Sequence, residues 1–92
     1  MTKLVARIKV LPSDIDIDLN VIVDRLNNSI ADDVKIKNFT KEPIAFGLNA
    51  LIVDFSLEDK EGPEMDELEN AIKNTEGVSE IEIMNLSRQA LG

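Results

Sequence analysis

The sequence predicts an α+β sandwich in which two helices cover one face of a four-stranded antiparallel sheet. Four segments alternate apolar and polar residues as half-buried strands do, and two segments repeat apolar residues at helical spacing. Their order along the chain is β-α-β-β-α-β. Right-handed crossovers in both βαβ halves place the two helices on the same face of the sheet. This is the ferredoxin-like arrangement, which hosts many unrelated functions.

The first strand and the first helix account for the first thirty or so positions. Alternation over Leu4–Leu11 predicts a half-buried strand, which Pro12 ends because proline cannot donate to a ladder. The core face of this strand is expected to carry Leu4, Ala6, Ile8 and Val10. The helix that follows is predicted from apolar residues at helical spacing, namely Leu19, Ile22, Val23, Leu26 and Ile30.

Three aspartates, Asp14, Asp16 and Asp18, stand immediately before this helix. Carboxylates at such positions cap a helix or interact with its positive end. The Asp-x-Asp-x-Asp spacing also opens calcium-binding loops, which need glycine at the sixth position and glutamate at the twelfth. Those positions hold Leu19 and Arg25, so we interpret the aspartates as capping residues and predict no metal site.

The middle of the chain is predicted to form two strands joined by an irregular connection. Val34–Ile36 alternates with lysines and suggests the second strand, and Pro43 and Gly47 mark Thr40–Gly47 as a loop or irregular hairpin connection. The third strand is predicted over Leu48–Leu57, with a core face of Leu51, Val53, Phe55 and Leu57. Its other face is partly apolar as well, which favours a central position in the sheet.

The last third of the chain is predicted to form a helix and a strand. Pro63 suits the entry to the helix and Gly77 its end. The apolar stripe of the helix is Met65, Leu68, Ala71 and Ile72. The core face of the fourth strand is Val78, Ile81 and Ile83. Met84 and Leu86 are expected to point the other way, and Ser87–Gly92 to form a short tail.

Composition excludes several kinds of chemistry. The chain has 92 residues, a net charge of −8, and neither cysteine nor histidine, which removes disulfides, thiolate nucleophiles and the commonest general base. This length predicts a single domain over residues 1–92. No apolar run is long enough to span a membrane, and charges near the N-terminus do not fit a signal peptide, so we expect a cytoplasmic location.

Basic residues fall on the sheet positions opposite the predicted core face, namely Lys3, Arg7, Lys9, Lys35 and Lys37. The sheet is therefore expected to present a basic surface, either simply solvated or suited to an acidic partner. Nucleic acid is disfavoured because the first strand carries no aromatic residue on which a base could stack and the pI is near 4.4. A Gly-rich phosphate loop is also absent from the sequence.

The segment Glu42–Leu51, EPIAFGLNAL, closely resembles the signature of elongation factor 1-beta, the guanine nucleotide exchange factor family of translation. Further matches in the family's order are Lys9–Pro12, Asp18–Leu19, Glu58–Asp59, Gly77–Ser79 and Glu82–Ile83. The resemblance covers nearly the whole chain. It is similar to the short archaeal form of the family, which lacks the N-terminal extensions of eukaryotic members.

The resemblance implies a ferredoxin-like exchange factor without covalent chemistry or cofactor. Such a protein binds the GTPase elongation factor 1-alpha, releases GDP and lets GTP enter. It implies partner contact by Phe46, in one loop with Pro43 and Gly47, where packing within the loop or core is the alternative. It also implies that Arg88 stands where eukaryotic members carry a lysine that reaches toward the partner's magnesium site, where an exposed tail residue is the alternative.

A second class of function stays open from the sequence. Ferredoxin-like domains often pair to bind metabolites, so the alternative to an exchange factor is a small-molecule-binding regulatory module. That alternative predicts a homodimer with its ligand at the interface, whereas an exchange factor of this family is expected to be a monomer when free. An acidic RNA-associated protein, which would bind RNA with a steep salt dependence, is a third and less favoured possibility.

Overall fold

The computed structural model describes residues 2–58 and 64–90, and these contain the predicted order of elements. The elements are β1 (Thr2–Pro12), α1 (Leu19–Ser29), β2 (Lys35–Ala45), β3 (Leu48–Glu58), α2 (Glu64–Lys73) and β4 (Val78–Ala90). The sheet has the order β2-β3-β1-β4, and every neighbouring pair is antiparallel. This confirms the ferredoxin-like α+β fold. Neither helix in the described ranges is long and apolar enough to cross a membrane.

The core lies between the helices and one face of β1 and β3. The predicted core residues of these two strands are at most 9% exposed, and Phe55 is completely buried. The helices contribute their apolar stripes, of which Leu19, Ile22, Val23, Leu26, Leu68 and Ile72 are buried. β3 lies between β2 and β1, which confirms its predicted central position.

The aspartates before α1 act as capping and turn residues. Asp18 is the N-cap, and its Oδ1 accepts a hydrogen bond from the backbone N–H of Asn20 at 2.9 Å. Asp14 Oδ1 accepts from the N–H of Asp16 at 3.0 Å, which closes a local turn. The bond to Asn20 satisfies a backbone donor that the first turn of the helix cannot satisfy itself. Within residues 2–58 and 64–90, no three acidic side chains are grouped so that they could hold a metal ion.

Of the two structures predicted for Thr40–Gly47, the irregular hairpin connection is confirmed and the loop is wrong. β2 continues to Ala45, and only Phe46 and Gly47 lie in the turn that joins it to β3. Pro43 is tolerated within the strand because β2 is an edge strand, where a missing N–H costs no ladder bond on the open side. The side chains of β2 are mostly exposed, so its hydrophobic pattern is weak even though its backbone pairs along the whole of β3.

The predicted tail and the predicted face of Leu86 are also wrong. β4 continues to Ala90, so positions 87–90 belong to the sheet, while positions 91 and 92 lie outside the described residues. Ile83 pairs with Ile8 and Asn85 with Arg7, which leaves Met84 as the extra residue of a β-bulge. The bulge reverses the alternation, and Leu86 therefore lies on the same face as Ile83.

The end of α2 differs from the prediction. The helix ends at Lys73, and Gly77 lies in the following turn with a φ of +96°. Thr75 in this turn is buried, and its hydroxyl donates to the carbonyl of Ala71 at 2.8 Å. A polar side chain thus ends the helix before the glycine is reached. Pro63, predicted to begin α2, lies outside the described residues.

Substituting alanine for either of the two glycines with positive φ is expected to lower the free energy of unfolding, but by different amounts. Gly47 and Gly77 have φ angles of +80° and +96°, so each substitution should lower the free energy of unfolding by about 1 kcal/mol from backbone strain. A Cβ at Gly47 meets nothing within 4 Å, whereas one at Gly77 would lie 3.1 Å from Arg25 Nη1. Gly77→Ala should therefore lose more stability in urea unfolding than Gly47→Ala, and equal losses would contradict this.

Candidate functional site

The tip of the β2–β3 hairpin carries a fully exposed aromatic ring. Phe46 is 99% exposed, and its φ angle is +52°. Positive φ at both Phe46 and Gly47 matches a two-residue type I′ turn, in which Asn-Gly is the preferred pair. A bulky residue in this conformation is unusual and costs energy, and such strain tends to occur at functional positions. The exposure also excludes packing as the role of this ring.

The residues beside the tip extend its apolar character. Pro43 is exposed on β2 opposite Asn49, and Ile44 is the extra residue of a bulge between the pairs Pro43–Asn49 and Ala45–Leu48. Ile44 is 42% exposed. The bulge increases the local twist just before the turn. The predicted partner-binding residues Pro43, Phe46 and Gly47 thus lie together on one protruding, partly apolar hairpin end.

Arg88 lies within the sheet and not in a free tail. It belongs to β4, is exposed, and pairs with Leu4 of β1. Because Leu4 is a core-face residue, its directly opposed partner is on the helix-covered side of the sheet. The backbone of Arg88 is therefore fixed by strand pairing, which gives its long side chain a defined starting point.

The structure does not bring Phe46 and Arg88 together. Arg88 is level with Leu4, and six residue steps along β1 lead to Val10, which pairs with Leu51. Three further steps along β3 lead from Leu51 to Leu48 at the hairpin end. Nine steps of about 3.3 Å place the two candidate contacts about 30 Å apart along the sheet. They lie toward opposite ends of a molecule whose longest dimension is 43 Å.

The sheet face away from the helices, which we call the open face, is not a basic surface. Lys3, Arg7 and Lys9 occupy it as predicted. Each has an acidic neighbour: Lys3 Nζ is 3.6 Å from Glu58, Arg7 Nε is 2.9 Å from Asp54, and Lys9 Nζ is 3.6 Å from Glu42. Glu80 and Glu82 on β4 share the face. The expected basic surface is therefore not formed along β1, because acids on neighbouring strands offset the charges of Lys3, Arg7 and Lys9.

The Arg7–Asp54 pair has the best-defined geometry on the open face. Arg7 Nε donates to Asp54 Oδ1 at 2.9 Å and Nη2 donates to Oδ2 at 3.1 Å. Asp54 is only 7% exposed, and the hydrogen bond from Arg7 holds the pKa of its carboxyl below the ordinary value despite this burial. We did not predict this pair from the sequence, although Asp54 is the one charged residue in the strand segment Leu48–Leu57.

Acid should weaken the fold through Asp54. Its pKa is lower in the folded chain than in the unfolded chain, where it is about 3.9, so its ionisation stabilises the fold above that pH. The contribution is lost as the pH falls through the folded-state pKa. We expect Asp54→Asn to be less stable than the unchanged protein near pH 7 and the difference to shrink toward about pH 2 in urea unfolding. A difference that stayed constant over this range would contradict the argument.

The fold and the exposed hairpin end place this chain in a broad class of protein, the ferredoxin-like domains that present a hairpin end to solvent. The C-terminal domain of the MgtC protein from Mycobacterium tuberculosis shares this fold, with a TM-score of 0.52 over 95% of this chain and 85% of that one. The two are 10% identical in sequence, so the likeness concerns the fold alone.

The family follows from sequence comparison. Residues 5–88 match the EF-1 guanine nucleotide exchange domain, and the chain belongs to this family. It is 40% identical to elongation factor 1-beta of Staphylothermus marinus and 37% identical to that of Aeropyrum pernix, in each case over 96% of this chain and 98% of the relative. The resemblance found in the Glu42–Leu51 segment is confirmed. The function is guanine nucleotide exchange, carried out by an exchange factor and not by an enzyme.

Proposed function

We propose that residues 1–92 act as one domain that binds elongation factor 1-alpha and accelerates its exchange of GDP for GTP. The observation that carries this proposal is the hairpin end, where Phe46 is 99% exposed in a strained conformation. An exposed aromatic ring gains most when a partner removes it from water, and such rings dominate the energetics of interfaces. We assign Phe46 to the partner contact, with Pro43 and Gly47 shaping its support.

Arg88 supplies the second part of the proposal. GDP leaves a GTPase slowly because its phosphates and the magnesium ion hold one another in the nucleotide pocket. A guanidinium placed beside that metal site disfavours the ion through like-charge repulsion, and phosphate binding weakens with it. Arginine in place of lysine brings a larger, planar cation to this task. Strand pairing of Arg88 with Leu4 supports the idea that the cation is positioned and not merely tethered.

The separation of the two contacts sets a requirement on the partner. A standard interface of about 800 Å² on each protein is about 30 Å across. Phe46 and Arg88, about 30 Å apart along the sheet, therefore fall at opposite margins of one such interface. We propose that the hairpin end holds the GTPase while Arg88 acts at its metal site. Coupling between two ligands is reciprocal, so an exchange factor that weakens GDP binding to the GTPase must itself bind the GTPase less tightly when GDP is present.

A light-scattering experiment separates this function from the metabolite-binding alternative. We expect size-exclusion chromatography with light scattering to show that the free chain is a monomer. With nucleotide-free elongation factor 1-alpha it should form a one-to-one complex, and added GDP should weaken that complex. A homodimer that ignores the GTPase would contradict the proposal and favour a small-molecule module. Because exchange on this GTPase accompanies protein synthesis, we also propose that the protein acts in the cytoplasm.

A further inference from the structure

A polar row crosses the open face through all four strands. Asn38 of β2 pairs with Asp54 of β3, Asp54 with Arg7 of β1, and Arg7 with Asn85 of β4. Directly opposed residues share a face of the sheet and stand close together. Asn38 also donates a side-chain hydrogen bond to Asp54. The four side chains therefore form one continuous band at the middle of the sheet, away from both the hairpin end and Arg88.

Both edge strands bulge beside this row. On β2 the extra residue is Lys37, between the pairs Ile36–Phe55 and Asn38–Asp54. On β4 the extra residue is Met84, next to Asn85. Bulges redirect side chains and are common beside binding sites. Here they flank a shallow depression of about 220 Å³, which is lined by Val5, Arg7, Lys37, Asn38, Asp54, Asn85 and Ser87.

The guanidinium of Arg7 is hydrogen-bonded to Asp54 along one edge, which leaves its other edge available for a ligand. Asp54 engages Nε and Nη2, whereas Nη1 donates to no residue within 2–58 and 64–90. A guanidinium fixed by one carboxylate presents its remaining N–H groups to a second oxyanion without losing much freedom. Arg7 is also the more exposed partner, with 53% of its side chain accessible against 10% for Asp54.

Lys37 and two neutral donors complete the surroundings. Lys37 lines the same depression and forms no ion pair with a described residue. Asn85 Nδ2 donates to Ser87 Oγ at 3.3 Å, which leaves the hydroxyl proton of Ser87 free to turn toward a ligand. Two cations against the single charge of Asp54 leave the depression with one excess positive charge in a protein of net charge −8.

We propose that this depression binds the phosphate group of a small molecule, with Arg7 and Lys37 as its cations. A phosphate accepts from several directions at once, which suits a guanidinium edge on one side and an ammonium on the other. Ser87 supplies a neutral donor at the margin. The source of the phosphate is either the free ion or a phosphate ester, and part of an ester would lie beside Val5, which also lines the depression.

Backbone amide shifts in NMR spectra test the proposal. The full chain is titrated with inorganic phosphate, with GDP as a phosphate ester, and with sodium chloride at matched ionic strength. We expect saturable shifts at the row residues with phosphate and not with chloride. Tighter binding of GDP would identify an ester as the source, and equal or weaker binding would identify the free ion. Shifts matched by chloride, or no saturable shifts at the row residues with either phosphate or GDP, would overturn the proposal.

Lysine variants provide the matched control. Lys37→Gln should weaken phosphate binding about tenfold, the loss of one charge-assisted hydrogen bond. Lys35→Gln removes the same charge from the same strand at a position outside the depression, and should change binding less than about twofold. Arg7→Lys keeps a charge beside Asp54 but removes the planar edge, and should weaken binding as Lys37→Gln does. If the two glutamine variants weakened phosphate binding equally, general charge and not a defined site would account for the binding, which would contradict the proposal.

Discussion

Phe46→Ala is expected to weaken binding to elongation factor 1-alpha about thirtyfold and to slow stimulated GDP release at subsaturating concentrations by a similar factor. Aromatic residues that are exposed in the free protein and buried by a partner are among the commonest interface hot spots, and each contributes about 2 kcal/mol or more, which corresponds to this factor. The fold should be unaffected, because the ring is 99% exposed and packs against nothing. Titration of the GTPase in calorimetry and fluorescent GDP release measure the two effects.

Phe39→Ala is the matched control for this prediction. Phe39 lies on the same strand as the hairpin end, is 42% exposed and pairs with Val53, but it is distant from the turn. Its loss should lower the free energy of unfolding and leave binding within about twofold of the unchanged protein. If the two alanine variants bound the GTPase equally well, the hairpin end would have no special role.

Arg88→Ala is expected to slow stimulated GDP release by about tenfold or more at saturating exchange factor, while binding to the GTPase changes less than about threefold. The reason is that the cation acts on the partner's metal site and contributes little to holding the complex together. Each tenfold change in the rate of release corresponds to about 1.4 kcal/mol of free energy. Stopped-flow release of fluorescent GDP at several concentrations separates the maximal rate from the affinity.

Two further variants sharpen the test of Arg88. Arg88→Lys retains a cation and should keep most of the exchange activity. Lys3→Ala removes a positive charge at the same end of the sheet, where Lys3 pairs with Gln89 but faces the open side. It should leave the rate nearly unchanged. Full activity of Arg88→Ala, or equal losses with Lys3→Ala, would remove Arg88 from the mechanism.

The order of elements and the core could be predicted because they depend on local periodicity. Alternation in β1 and β3 and the helical stripes each correspond to a buried face, and burial confirms nearly all of them. β2 could not be delimited in this way, because an exposed edge strand needs no hydrophobic pattern. Its length is set by the backbone groups of β3 that it pairs with.

Register explains what the sequence did not predict about the surfaces. One extra residue, Met84, changes which face Leu86 occupies, and no local pattern marks the bulge. No local pattern predicts the Arg7–Asp54 pair on the open face either. The two residues are 47 positions apart in the sequence, and they meet only because β1 and β3 pair in one particular register. Individual charges could be assigned to that face from alternation, but their partners could not. The exposed position of Phe46, in contrast, agrees with what its motif implies, because this exposure depends only on the local turn.

The central claim is that this chain is a turning-over exchange factor, and release of fluorescent GDP from elongation factor 1-alpha of the same organism tests it most directly. The chain should accelerate release when present at about one-tenth of the GTPase concentration, because each molecule acts repeatedly. Release at the spontaneous rate, with a folded chain and a GTPase shown to bind both nucleotides, would contradict the claim.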